Sequence, residues 1–201
     1  NENKTNTYNY EKPKYNVFSG LPNAGYNPDD GINLGIIANY FVYKFKQNPY
    51  SQRHTLIANY FFATNGFELL YRGDFPNSIG KWDFTLDAQI TGPNFSINYF
   101  GYGNETVNDE DIYGMDYNRA KLRVLKVRPG IKRMGRNGSE LNLSAGFDRM
   151  KVEETENRYI NSPDAVNPNV FETQQFAGAT AKYSFENYDM PSYTTMGFGF
   201  S

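Results

Sequence analysis

His54 is the only imidazole in the chain, and Ser51 and Thr55 stand close to it. A nucleophilic triad needs a carboxylate to orient such a ring. No spacing in the sequence supplies one, so His54 reads as a histidine at a strand edge. Oxygen ligands gather in two places: Asn104, Glu105, Asn108, Asp109, Glu110 and Asp111 in one stretch, and Asn27, Asp29 and Asp30 in another. Calcium suits such a set, with Asn104, Glu105, Asp109 and Asp111 as its ligands. A calcium loop, however, holds a glycine at a fixed turn and ligands at alternating offsets, and NETVNDEDIYG departs from that pattern. The stretch therefore reads as a solvated loop. NPDDG reads as a turn in which Pro28 fixes φ and Gly31 releases it. Cysteine is absent, which excludes thiol catalysis, disulfides and Cys-rich zinc sites. Neither an enzyme nor a cofactor is expected of these residues.

The other charged side chains follow a different rule. In WDFTLDAQI, residues 82 to 90, Trp82, Phe84, Leu86, Ala88 and Ile90 alternate with Asp83, Thr85, Asp87 and Gln89. Period-2 alternation is the mark of a strand with one oily face. The same beat predicts nine strands: Gly31 to Phe45, Arg53 to Thr64, Phe67 to Phe75, Lys81 to Thr91, Asn94 to Gly101, Tyr113 to Met134, Ser139 to Thr155, Phe171 to Phe185 and Ser192 to Ser201. Asn65-Gly66 suits a two-residue hairpin because both positions tolerate positive φ. Gly92-Pro93, Gly135 to Gly138 and Glu186 to Pro191 give similarly brief reversals. The intervening connections, KQNPYSQ, PNSIG, YGNETVNDEDI and the span after Glu156, are longer and polar. Short and long connections thus alternate, as they do when brief turns collect at one end of an up-and-down barrel and long loops at the other.

Composition narrows the choice of solvent for the oily face. The chain holds 17 Tyr and 16 Phe at a mean hydropathy that would suit a soluble protein. No stretch reaches the ~18 apolar residues of a spanning helix, whereas a spanning strand needs only ~9 to 11 residues, half of them apolar. Several predicted strands also exceed the ~5 to 6 residues common in soluble sheets. The 20 Lys and Arg nearly balance 22 Asp and Glu, so no nucleic-acid partner is implied. On this reading Trp82, Phe84, Leu86, Ala88 and Ile90 face lipid. Glu68, Arg72, Asp83, Asp87, Arg119, Lys121 and Arg123 turn into a wet lumen, where the basic residues can meet Asp83 and Asp87. Tyrosines such as Tyr40, Tyr60, Tyr99 and Tyr117 are available for interfacial girdles. The expected fold is an all-β, antiparallel up-and-down transmembrane barrel with about eight or nine strands here. A small passive pore or structural anchor, and a soluble ligand- or calcium-binding β-protein, are the alternatives.

GYNPDDGINLG (25 to 35), residues 54 to 95, FGYGNETVNDEDIYGMDYNR (100 to 119) and YTTMGFGFS (193 to 201) resemble the BamA/TamA-type surface-antigen barrel of Bacteroidetes outer-membrane proteins. In that family the barrel often follows a calcineurin-like metallophosphoesterase domain. The resemblance implies the outer membrane of a Gram-negative bacterium and a sixteen-stranded barrel. Residues 25 to 201 would form its N-terminal part and residues 1 to 24 a periplasmic lead-in. It implies a role in outer-membrane protein assembly or translocation, or in anchoring the phosphoesterase, whose metal ligands would lie outside this chain. The partners implied are outer-membrane lipid, unfolded outer-membrane client proteins, and the remaining barrel strands or another chain that pairs the edges. In the family the first strand pairs weakly with the last at a lateral gate, and Gly31 and Gly35 would suit such a seam. They equally suit relief of crowding at a bend. The strand from Gly31 is expected to be paired, because unpaired backbone in lipid costs several kcal/mol per group. Tyr71-Arg72-Gly73-Asp74-Phe75 imitates the family's Arg-Gly-aromatic motif, but Asp74 stands where the aromatic belongs.

Overall fold

In the computed structural model, residues 15–27, 31–44, 49–102, 110–135, 138–162, 168–188 and 197–200 are described. Period-2 segments pair with their sequence neighbours into one antiparallel sheet. Its strands are β1 (Val17–Asn27), β2 (Gly31–Val42), β3 (Gln52–Phe61), β4 (Gly66–Ile79), β5 (Trp82–Thr91), β6 (Ser96–Asn98), β7 (Arg119–Met134), β8 (Ser139–Glu153), β9 (Gln174–Tyr188) and β10 (Gly197–Phe200). The order is β1-β2-β3-β4-β5-β7-β8-β9-β10, and β6 pairs only with β7. The sheet is a meander that does not close on itself. Among the described residues helix is confined to one turn, α1 (Glu110–Tyr113), and to two 3-10 turns, Tyr159–Asn161 and Pro168–Phe171.

The predicted fifth strand, Asn94 to Gly101, shrinks to three residues lying against the start of β7. β5 pairs with β7 instead, so the strict alternation of short and long connections is lost. What remains is an asymmetry between the two ends. The strand ends flanking 28–30, 62–65, 92–118 and 154–173 lie at one edge of the sheet, and those flanking 43–51, 80–81, 135–138 and 189–196 at the other. Both of the longest connections share the first end. Of PNSIG, read as a loop, all but Gly80 belongs to β4. A register shift between Phe75 and Ile79, with Asn77 at φ 53°, absorbs it as a bulge that keeps the strand paired.

The strand from Gly31 is paired on both sides, by β3 and by β1. β1 straddles the boundary drawn at residue 24, so residues 17–24 are sheet. It also moves Gly31 and Gly35 one strand inward from the edge, away from any seam between first and last strands. Each glycine has a local cause. Gly31 opens β2 at φ 69°, a left-handed conformation that costs glycine little. At Gly35 a Cβ would collide with the Ala58 carbonyl oxygen and Asn59 Oδ1. Asn23 Nδ2 donates to that same Asn59 Oδ1 at 3.1 Å, spanning β1 to β3 above the glycine. Gly35 is there to relieve crowding.

Gly35→Ala should lower stability by about 1 to 3 kcal/mol, the usual penalty for overpacking. Urea unfolding followed by emission of Trp82, the single tryptophan, measures it. An unchanged midpoint would show that the Asn23–Asn59 bridge gives way freely.

Candidate functional site

Register carries the alternation from strand to strand. Gly20, Ala38, Leu56, Tyr71, Ala88, Val127, Phe147 and Ala177 form one continuous cross-strand row. Beside it runs Pro22, Ile36, Ala58, Leu69, Ile90 and Leu125. The first row is uncharged on all eight strands and the second from β1 to β7, its next partner on β8 being Arg149; among the described residues no second layer covers them. Ile36, Leu56, Leu69, Ile90 and Phe147 are all exposed. A water-soluble sheet would bury such a face. Among the described residues the buried apolar set is only Ala120, Val124 and Ile160, which is far too small a core for a chain of this length.

Aromatic side chains border this face at both ends. Tyr40, Phe75, Phe84 and Trp82 lie toward the end with the shorter connections, and Arg133 rests over the Trp82 ring at 5.6 Å. Tyr26, Tyr60, Phe62 and Phe67 lie toward the other end, with Tyr60 and Phe62 edge to face at 5.1 Å. His54 belongs to the first group. Its Nδ1 meets the Tyr71 hydroxyl at 2.8 Å, and its ring stands edge-on to Phe75 at 5.4 Å. Its Nε2 lies 3.3 Å from Gln52 Oε1, so both ring nitrogens have polar neighbours and His54 sits within the aromatic band.

The opposite face is charged and holds two adjoining hollows of about 440 and 500 Å³. Arg72 Nε donates to Asp87 Oδ1 at 2.8 Å, and the two residues are direct cross-strand partners. Arg128 Nη2 donates to Asp148 Oδ2 at 3.0 Å. Gln89 Nε2 donates to Glu68 Oε1 at 2.8 Å. Toward the end with the shorter connections, Tyr50 donates to Asp74 Oδ2 at 2.5 Å, and Arg53 approaches the same oxygen at 3.4 Å. Burial, reinforced by the Asp74 hydrogen bond and charge, pushes the Tyr50 hydroxyl up to about 12.

Arg72 and Asp87, both read from the sequence as lumen charges, meet across β4 and β5. Asp83, in contrast, accepts from the Asn77 backbone N–H at 2.8 Å and so caps the β4 bulge. Arg119, Lys121 and Arg123 do not join the polar face, because by register they share the parity of Leu125 and Val127. Strand extension beyond the apolar rows accounts for this placement: they occupy the end of β7 near the two long connections. There Arg123 pairs with Glu153 at 2.9 Å, and Lys121 Nζ donates to Asn94 Oδ1 at 3.1 Å. Trp82, Phe84, Leu86, Ala88 and Ile90 share one face of β5, with Ala88 and Ile90 in the two apolar rows. Sequence reading missed Arg53, Asp74, Arg128 and Asp148 as pairs; their alternation was visible, but their partners lie across strands whose register was not.

The two long connections pack on each other. Arg119 Nη1 donates to Asp116 Oδ1 at 2.6 Å, Arg158 lies 3.5 Å from the same oxygen, and Arg158 also donates to the Asp116 carbonyl. Burial opposes ionisation of Asp116, but the hydrogen bonds and charges of the two arginines outweigh it and hold the carboxyl below its usual range. Tyr159 N donates to the Tyr117 carbonyl at 2.8 Å, and Tyr113 stacks on Tyr117 at 4.4 Å. Among the calcium candidates, Asn104, Glu105 and Asp109 lie outside the described residues. Asp111 falls in α1. Among the described residues no group of three potential metal ligands occurs. Comparisons with protein-family models, curated proteins and solved structures return no match.

Tyr50 predicts a pH signature. Its proton is held more tightly in the folded state than in the unfolded chain, where the hydroxyl titrates near 10. The associated stability is therefore complete below pH 10 and is lost as pH rises toward 12. In Tyr50→Phe the fall in stability between pH 10 and 12 should be shallower than in the unmodified chain, measured by urea unfolding at each pH. Parallel profiles would remove Tyr50 from the folded network.

Proposed function

We propose that this chain forms the wall of a transmembrane β-barrel in the outer membrane of a Gram-negative bacterium, with its charged face toward a water-filled interior. The observation that carries this reading is the pair of uncharged rows, exposed and bordered by aromatic bands at both ends. From Trp82 to Ile90 the strand rises roughly 27 Å, comparable with the ~25 Å apolar band of such barrels. Arg133 over Trp82 suits an interface, where a cation and an indole both reach water. The charge pairs of the opposite face neutralise one another at little cost in a wet interior and would be costly in lipid.

The edges require partners. Among the described residues β1 has only β2 beside it, and β10 only β9. In lipid the free backbone groups of such edges must be satisfied, so further strands, from the same polypeptide or another chain, close the wall. The role in outer-membrane protein assembly, in translocation, or in anchoring a phosphoesterase rests on the resemblance of residues 25 to 35, 54 to 95, 100 to 119 and 193 to 201. On that reading an unfolded client enters where the closing strand meets β1.

Leu86 and Asp87 are adjacent and point to opposite faces, so they separate lipid from water within one strand. Leu86→Arg should impair membrane insertion by about 2 to 4 kcal/mol, the cost of arginine near the bilayer midplane, whereas Asp87→Arg should leave insertion nearly intact. The fraction resisting alkaline carbonate extraction and showing heat-modifiable gel mobility measures both. Equal tolerance of the two substitutions would sink the reading.

A further inference from the structure

The charged face has one stretch that is not charged. Its central row begins Leu21, Ile37, Ile57 and Leu70 on β1 to β4, then changes to Gln89, Lys126 and Asp148 on β5, β7 and β8. The apolar half crosses three strand spacings, roughly 14 Å, and Leu21 is 63% exposed. Electrostatic neutrality does not require these residues, and a water-filled interior gives no reason for them. The 440 Å³ hollow lies where the two halves meet, and Ile57, Leu70, Gln89, Lys126, Arg72 and Arg128 line it.

The cations around that junction are not equally occupied. Arg72 uses Nε for Asp87, and Arg128 uses one terminal nitrogen for Asp148, so each guanidinium keeps donors. Lys126, although the register partner of Asp148, makes no ion pair or hydrogen bond among the described residues. A free ammonium, flanked by two guanidinium groups with donors to spare, therefore sits at the end of an apolar track.

We propose that this hollow binds a single-chain amphipathic anion, such as a long-chain carboxylate. Its head lies on Lys126, between Arg72 and Arg128, and its alkyl chain runs over Leu70 and Ile57 toward Ile37 and Leu21. The track would accept a chain of about a dozen carbons at the strand spacing given above. The carboxylate gains charge-assisted hydrogen bonds, and the chain covers apolar surface that water would otherwise wet. This site depends on the charged face alone and not on what covers the apolar one.

Photolabelling tests it. The full chain in neutral-detergent micelles is irradiated with a diazirine-bearing dodecanoic acid, and adducts are mapped by mass spectrometry. Adducts are expected on Ile57 and Leu70. Excess dodecanoate should displace them and dodecanol should not. Displacement by an anionic lysophospholipid as well would identify a lipid head as the natural source of the anion; displacement by dodecanoate alone would identify a free carboxylate. Lys126→Gln should cut labelling about tenfold, as for a lost hydrogen bond to a charged group, and Lys126→Arg should restore most of it. Circular dichroism confirms that both variants keep their strand content. Adducts confined to Leu69 and Ile90 on the other face, or equal displacement by dodecanol, overturn the proposal.

Discussion

The antiparallel register is the constraint on which everything else rests. Side chains alternate with a period of two, so a slip of one residue between any two strands would put charges among the apolar rows and leucines among the charges. The row from Gly20 to Ala177 stays uncharged over eight strands only because every pairing along it holds. Tight reversals set that register locally. Asn65 at φ 54°, Gly80 at φ 66° and Gly138 at φ 74° supply the positive φ that hairpin turns demand. Charge pairs check it across strands. Exposed pairs such as Arg72–Asp87 add only about 0 to 1 kcal/mol. Their larger effect is on specificity, because in the slipped arrangement these charges would lose their partners.

The two faces then follow from chemistry already present in the sequence. Apolar side chains stand at every second position, and among the described residues the fold offers them no second layer. The polar positions between them carry both signs of charge, which hydrogen-bond across strands without a buried core. On the proposed reading the same sheet meets two environments, and aromatic residues gather where those environments change.

Segments with clean alternation were legible in the sequence and the others were not. WDFTLDAQI has one residue type per face, and its orientation could be read directly. β1 hides because Phe18, Leu21 and Tyr26 do not share a parity and Pro22 and Asn23 look like breakers. Only pairing with β2 shows it to be a strand. Asn94 to Gly101 alternates well but is held by just three ladder partners, since the chain around it turns into the long connection before β7. PNSIG carries turn residues, yet Asp83 accepts from the Asn77 backbone N–H within the bulge and Ser78 accepts from the Phe84 backbone N–H on the strand opposite. The charges of Arg119, Lys121 and Arg123 were visible, but charge alone cannot say which face a residue takes. Counting parity back from Leu125 could have.

The tie between the two long connections has a mechanical meaning. Asp116 holds Arg119 at the base of β7 and Arg158 beyond β8, so the connections 92–118 and 154–173 are fastened to each other across the strands they serve. Among the described residues the opposite end has no such tie between connections. A force that spread β5, β7, β8 and β9 would therefore separate them like the ribs of a fan riveted at one end. Shear would be resisted at the rivet, and the opening would be widest at the end bordered by Trp82 and Arg133.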